Sequence, residues 1–164
     1  MSSWAMMAAA TAQGVAGEER AITANRFTLS VPAVPQIGMF SELAGITTEV
    51  EAVDYVASAG SQGLQFQKLP GKGKPPTVTL KRGKTRNLAI WTWHDMVLKG
   101  NMKGARCDVV LEMWDAAGDK VAEYLLHEAW PSKLEVNGMR AGASEVLMES
   151  ITIVCEEITR QPLS

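Results

Sequence analysis

Alternation of apolar and polar residues at every second position is the feature that most constrains the fold of this chain. It begins with Phe27, Leu29 and Val31 on one side of a run and Thr28 and Ser30 on the other. A period of two places such residues on opposite faces of a β-strand. The pattern returns in four later runs: 42–55, 64–69, 105–130 and 144–158. The sequence therefore predicts a mainly β fold, a barrel or sandwich of about seven or eight antiparallel strands.

One segment, from Thr85 to Lys99, follows a helical period instead. We expect Thr85 to be its N-cap and Gly100 its C-terminal stop. The helix should lie outside the barrel and cover one face of the sheet, with Trp91 or Trp93 anchoring it. Its apolar side chains form two adjacent stripes, Leu88, Trp91 and Leu98 (with Asp95) on one and Ile90, Trp93 and Val97 on the other.

The length of 164 residues fits one domain. Residues 1–24 are rich in Ala, Met and Gly and lack a clear period, which indicates an N-terminal arm, and residues 25–164 form the predicted barrel domain. The arm resembles a signal peptide in its apolar content, but its first basic residue is Arg20, so we expect it to be retained. The formal net charge of −2 gives no basic field for wrapping nucleic acid.

The run from Glu42 to Tyr55 is unusually long and carries polar residues on both faces. A long strand pair of this kind leaves unpaired backbone edges. A barrel removes such edges by closing on itself, or several copies can pair edge to edge into one larger ring. Glu49 and Glu51 share a strand face, and we expect that face to meet solvent or a lumen.

No catalytic or metal-binding constellation is apparent in the sequence. Cys107 and Cys155 lie in apolar alternating runs and are interpreted as buried hydrophobic residues, with a disulfide left open. His94 and His127 have no partners at ligand spacing. Residues 71–74 lack the spacing of a phosphate loop. The sequence predicts no enzyme, no cofactor and no metal site, and no apolar stretch is long enough to span a membrane.

Several short motifs follow one another in a characteristic order. They are Gly38-Met39-Phe40-Ser41-Glu42, Lys68-Leu69-Pro70-Gly71, Thr79-Leu80-Lys81-Arg82-Gly83, Trp91-Thr92-Trp93, Ala129-Trp130-Pro131-Ser132-Lys133 and Glu145-Val146-Leu147-Met148-Glu149. Each is weak alone, but their number and order over residues 25–158 resemble the tail-tube family of contractile phage tails and phage-tail-like injection systems. Two departures stand out: a long N-terminal arm and a basic, proline-containing loop after Gly71.

The resemblance implies a structural subunit of an inner tube. Six copies would form a ring whose barrels join into one β-lined channel, and rings would stack inside a sheath on a baseplate, with cargo effector or DNA in the lumen. The hairpins 42–69 and 105–130 are expected to line that channel, and either Glu49 and Glu51 or the opposite face to set its charge. The arm and the loop 56–63 are expected to make contacts between subunits or rings, and the candidate residues there are Trp4, Tyr55, Ser61 and Gly63.

Two alternatives remain open at this point. One is a tube initiator at the baseplate, with the same fold and one ring per particle. The other is a monomeric barrel that binds a ligand. For the tube subunit and for the tube initiator, the resemblance implies synthesis and assembly in the cytoplasm. It also implies no direct membrane insertion and a place in a phage tail or an injection particle.

Overall fold

The computed structural model describes residues 21–35, 37–58, 60–83, 85–137, 142 and 147–163. These residues form eight β-strands and two helices, which confirms the predicted mainly β class. In chain order the elements are β1 (Arg26–Ser30), β2 (Met39–Phe40), β3 (Glu42–Ser58), β4 (Leu64–Gly83), α1 (Ala89–Leu98), α2 (Met102–Ala105), β5 (Cys107–Trp114), β6 (Lys120–Val136), β7 (Met148–Val154) and β8 (Glu157–Gln161). A 3₁₀ turn, Gly60–Gln62, joins β3 to β4.

The strands pair antiparallel in the order β2-β1-β5-β6-β7-β4-β3, and β8 adds to β6. Strand β6 belongs to two sheets, because its first half pairs with β5 and β8 and its second half with β7. Glu128, with φ of 51°, lies where β6 changes partners, and its N–H donates to Asp108 Oδ1 at 3.0 Å. This local distortion turns the strand from one sheet into the other.

The two ends of the strand order meet through Ser41, the single residue between β2 and β3. Its N–H donates to the Lys81 carbonyl oxygen of β4 at 3.1 Å. The strands thus curl round a common apolar core, as predicted for a barrel or sandwich. The core is built mainly from alternate residues of β1, β4, β5, β6 and β7, including Leu29, Val78, Leu80, Val109, Leu111, Leu126, Ile151 and Ile153.

Helix α1 is shorter than the predicted span, and Thr85 is not its N-cap. The helix begins after Leu88, whose side chain makes no capping bond. Thr85 Oγ1 instead accepts from the N–H of Asn87 at 3.2 Å, and Asn87 Oδ1 accepts from the N–H of Ala89 at 2.9 Å. These local bonds hold residues 85–88 outside the helix. The predicted stop at Gly100 is confirmed, since Gly100 has φ of 81° and its N–H donates to Val97.

Only one of the two predicted stripes of α1 packs on the barrel. Ile90 and Trp93 are buried, and Trp93 Nε1 donates to the Ala105 carbonyl at 2.8 Å, which ties α1 to the short helix α2. Helix α2 was not predicted. Of the two candidate anchors, Trp93 is the buried one, and Leu88, Trp91 and Leu98 of the other stripe are exposed.

Candidate assembly surfaces

The outward face of the sheet β3-β4-β7-β6 is polar. Residues paired across antiparallel strands point to the same side, so the printed register gives this face row by row. One row holds Glu42, Lys81, Ser150 and Glu135, the next Gly45, Thr79, Thr152 and Lys133, and a third Thr47, Thr77, Val154 and Trp130. Charged residues thus lie at one end of the face, hydroxyls in the middle and apolar side chains at the other end.

Charges on this face are balanced in pairs. Lys133 Nζ lies 2.8 Å from Glu135 Oε1, and Lys81 Nζ lies 4.0 Å from Glu42 Oε1. The hydrogen bond and charge of Lys133, helped by the charge of Lys81, lower the pKa of Glu135. The face therefore stays charged, yet close to neutral in sum, as the pH falls toward the usual carboxyl range.

Beyond the barrel, β3 and β4 continue as a two-stranded ribbon, which we define as residues 48–58 and 60–75. Strand β7 pairs with β4 only from Thr77 onward, so within the described ranges the ribbon has no third strand. At about 3.3 Å per residue its shorter arm, residues 48–58, extends by about 35 Å. Every described residue of the ribbon is exposed except Ala57 and Gly71, which are half-buried.

Both faces of the ribbon carry apolar side chains. One face holds Val56 opposite Phe66, with Leu64 beside them at the tip. The other holds Val53 opposite Leu69, with Tyr55 next to them opposite Gln67. Phe66 is 77% exposed and Leu64 68% exposed. Of the thirteen large apolar side chains that are exposed among the described residues, seven lie in the ribbon, and such a concentration is typical of an interaction surface.

The predicted lumen residues lie at the base of the ribbon rather than on the barrel. Glu49 Oε1 pairs with Lys74 Nζ at 2.8 Å. Glu51 lies at an irregularity in the β3–β4 register between Val50 and Ala52, where the strand alternation is interrupted. Both are exposed.

The predicted contact residues lie toward the tip, with one exception. Tyr55 is half exposed, Ser61 sits in the 3₁₀ turn, and Gly63 takes a φ of 84° as the chain enters β4. Trp4 lies outside the described residues.

The motif Lys68-Leu69-Pro70-Gly71 is a ribbon motif. Lys68 pairs with Asp54 at 2.8 Å, Leu69 lies opposite Val53, and Pro70 lies opposite Ala52. Gly71 faces the irregularity at Glu51 so closely that a Cβ there would lie 2.5 Å from Val53 Cγ2 and 3.0 Å from the Glu51 carbonyl oxygen. Glycine at this position is therefore required by close approach of the backbone, which explains the motif in physical terms.

The motif Leu80-Lys81-Arg82-Gly83 alternates between core and surface. Leu80 and Arg82 are buried, whereas Lys81 and Gly83 face outward. Arg82 Nε donates to Glu149 Oε1 at 2.8 Å, and Arg82 Nη1 donates to the Ile37 carbonyl. The guanidinium also lies over the Phe40 ring, 5.1 Å from its centroid. A buried ion pair thus joins β4 to β7, and Glu149 is a structural residue whose partner the sequence pattern did not reveal.

The tryptophan motifs divide between core and surface. Trp93 is fully buried, Trp91 is exposed, and Trp130 is half-buried opposite Val154. Pro131 is buried, and its carbonyl lies 3.3 Å from His94 Nδ1, a contact between β6 and α1.

The hairpin 105–130, predicted to line the channel, lies mostly in the other sheet. Its strand β5 pairs with β1 and β6, and only the end of β6 reaches the polar face described above. On the outward side of that other sheet, Lys120 bridges Glu112 and Glu123 at 3.1 and 2.9 Å, beside the Trp114 ring.

Both cysteines are free thiols, Cys155 buried and Cys107 half-buried. Burial raises the pKa of Cys155 to about 11. Burial also raises the pKa of Cys107, against an opposing hydrogen bond from the backbone of Ala33. Within the described ranges no three His, Cys, Asp or Glu side chains cluster in a way that could hold a metal ion. Among those same residues no helix has both the length and the apolar character needed to cross a bilayer.

A family comparison decides what kind of protein has this geometry. The model of the T4-like virus tail tube protein gp19 family matches residues 23–159, which is most of the chain. The chain belongs to this family. This match confirms the tail-tube family that the motifs indicate. It also confirms the predicted function of a tail tube subunit. A comparison with curated proteins gives no significant match.

Several solved structures share the fold of this chain. A chain of the extracellular contractile injection system PVC, in a sheath-tube complex in the extended state, has a TM-score of 0.71 and 18% identity, covering 92% of this chain and 97% of that one. A chain of the anti-feeding prophage baseplate has a TM-score of 0.66 and 16% identity, covering 87% of this chain and 95% of that one. A chain of the anti-feeding prophage tube terminating cap has a TM-score of 0.65 and 19% identity, covering 88% of this chain and 93% of that one. The shared fold extends over nearly the whole of each of these three chains.

Proposed function

We propose that this tail tube protein is the repeating subunit of the inner tube of a contractile injection particle. Copies form a six-membered ring, rings stack, and the stack encloses a channel. The observation that carries the proposal is the ribbon, which extends about 35 Å beyond the barrel with apolar side chains on both faces. A monomer gains nothing from exposing Phe66 and Leu64 to water, whereas a polymer buries them.

The channel wall is best supplied by the polar face of β3-β4-β7-β6. Its paired charges and threonine hydroxyls suit a water-filled lumen. Among the residues that the structure describes, no strand pairs with the outer side of its edge strand β3, so neighbouring copies can extend the sheet around a ring. Glu42, Lys81, Lys133 and Glu135 would then set the lumen charge, with Glu49 and Glu51 farther out toward the next ring.

The remaining surfaces are assigned to partners. The sheath encloses the outer wall and the baseplate holds the first ring, as in the assemblies that contain the structural neighbours. A cargo effector or DNA occupies the lumen. The role is mechanical and not enzymatic, and the subunit is made and assembled in the cytoplasm. The predicted arm, residues 1–24, contributes contacts between rings.

Negative-stain electron microscopy with mass determination tests the proposal. Purified full-length protein is expected to form hexameric rings or stacked tubes with an open centre. Removal of residues 1–24 is expected to shorten the stacks while the rings persist. A protein that stays monomeric at high concentration would contradict the repeating-subunit assignment and favour the ligand-binding barrel.

The baseplate initiator is a second candidate, because the baseplate chain matches nearly as well as the PVC chain, with TM-scores of 0.66 and 0.71. Copy number in isolated particles separates the two. Tens to hundreds of copies per particle support the repeating subunit, whereas a single ring supports the initiator.

A further inference from the structure

Helix α1 carries a second unpartnered apolar surface, which we call the α1 stripe and define as Leu88, Trp91 and Leu98. These positions recur at intervals of three and seven, so they lie on one side of a helix. Their exposed fractions are 69%, 41% and 72%. Asp95 lies between them and is neutralised by Lys99 at 2.7 Å. The stripe is thus apolar and without net charge.

The α1 stripe and the ribbon account for most of the exposed apolar surface. Of the thirteen exposed large apolar side chains, seven lie in the ribbon and three in the stripe. Within one copy these surfaces do not meet in any substantial contact, because α1 packs on β6 and α2. The ribbon extends away from its own barrel, so its tip is placed to touch another molecule.

A tube is built from heterologous contacts, in which one surface of a copy meets a different surface of the next. That geometry requires two complementary patches on each chain, and the tip face (Val56, Leu64 and Phe66) and the α1 stripe are the two the described residues offer. Beside Phe66, Asp54 and Lys68 neutralise each other at 2.8 Å, just as Asp95 and Lys99 do beside Trp91. Neither patch repels the other, and each presents one large aromatic side chain, the residue class that most often anchors an interface.

We propose that the tip face of the ribbon docks on the α1 stripe of a second copy of this chain. The contact rests on the proposed function, because it is one of the contacts that would link copies in the tube. It assigns a role to the exposed Trp91 and to the flanking Leu88 and Leu98, which are exposed on their own chain.

Disulfide trapping in the full-length protein tests the contact directly. Phe66→Cys combined with Leu98→Cys is expected to give a ladder of dimers, trimers and higher species on mild oxidation. The matched control combines Phe66→Cys with Lys103→Cys, an exposed position on α2 outside the stripe. A disulfide needs Cα atoms within about 7 Å, so we expect roughly tenfold less ladder from the control. The two native thiols are shielded by burial and present in both variants.

A charge-pair rescue provides an independent test. Phe66→Arg and Leu98→Glu are each expected to abolish assembly, and the double variant to restore it in part. Leu69→Arg, on the opposite face of the ribbon, is expected not to be rescued by Leu98→Glu. Circular dichroism of each variant separates lost assembly from lost folding.

The outcomes distinguish this contact from the proposed function. Tubes that form without a ladder above the control, or without rescue, overturn the contact and leave the tube subunit intact. A wild-type chain that forms no rings or tubes overturns both. If Trp91 of the α1 stripe stays fully accessible to a water-soluble tryptophan oxidant within assembled tubes, that result overturns the contact as well.

Discussion

Two ion pairs of equal length show how differently the barrel and the ribbon are held together. Arg82–Glu149 and Asp54–Lys68 both measure 2.8 Å. The first has side chains only 5% and 1% exposed, between β4 and β7 of the barrel, whereas those of the second are 68% and 75% exposed on the ribbon. Water and salt screen the second pair and leave the first almost unscreened. The barrel is stabilised by its own chain, whereas the ribbon is the surface that we propose other copies complete.

Glu149→Ala is expected to have the largest effect and tests the barrel side of this comparison. Removing Glu149 leaves the Arg82 guanidinium buried without its counter-charge, which costs about 3–5 kcal/mol of unfolding free energy. Urea unfolding of the dilute, unassembled chain measures the loss. Asp54→Ala is the matched control and is expected to leave the unfolding free energy nearly unchanged. Equal losses from the two variants would erase the proposed difference between barrel and ribbon.

Truncating a core and a ribbon side chain sharpens the same comparison. Leu80 is fully buried, so Leu80→Ala is expected to lower the unfolding free energy by about 2–5 kcal/mol. Phe66 is 77% exposed, so Phe66→Ala is expected to leave folding intact and to raise the protein concentration needed for assembly. Denaturant melts and sedimentation report the two quantities separately. A large folding loss from Phe66→Ala would show that the ribbon tip packs on its own barrel.

The strands were predictable because their pattern is local. Each barrel strand buries every second residue, so the alternation around Leu29, Leu111 or Ile153 is visible in a few letters. The buried pair was harder to foresee. Arg82 and Glu149 lie 67 positions apart, and only the antiparallel register of β4 and β7 brings them together.

The ribbon and the start of α1 were predicted incompletely, for different physical reasons. Pro70, Pro75 and Pro76 normally interrupt a strand, yet β4 runs through them because they lie at or next to irregularities in its register with β3, where proline is tolerated. At the helix, Thr85 is a good capping residue by type, but its hydroxyl bonds within a turn instead. Glu49 and Glu51 stay the predicted lumen residues. The polar barrel face could not be foreseen, because it is formed by residues distant in sequence, such as Lys81 and Glu135.

Gly71→Ala is a smaller perturbation, confined to the ribbon. An added Cβ would clash with Val53 and with the Glu51 carbonyl, and relief of such overpacking costs about 1–3 kcal/mol. Hydrogen exchange is expected to speed up for the ribbon amides and to stay unchanged in the barrel. Gly73→Ala is a close control, because a Cβ at Gly73 meets nothing within 4 Å. Faster exchange across β5 and β7 as well would mean that the ribbon is coupled to the core.

The smallest expected effect comes from Cys155, which lies where the barrel continues into the ribbon. Its N–H donates to the Pro76 carbonyl at 3.1 Å, and its thiol also points to that oxygen at 3.7 Å. Burial raises the thiol pKa from 9.0 in an open chain to about 11. The folded state therefore holds its proton where the unfolded state has lost it, and stability falls as the pH rises from 9 toward 11.

At pH 10 the thiol is expected to remove about 1 kcal/mol relative to pH 8, since one pH unit corresponds to about 1.4 kcal/mol per proton. The comparison is between wild type and Cys155→Ala, each melted in urea at both pH values. Groups that titrate in both proteins cancel in the difference, and any cavity left by the substitution is the same at each pH. A difference that does not change with pH would mean that water reaches the thiol, so that the junction between barrel and ribbon is open rather than packed.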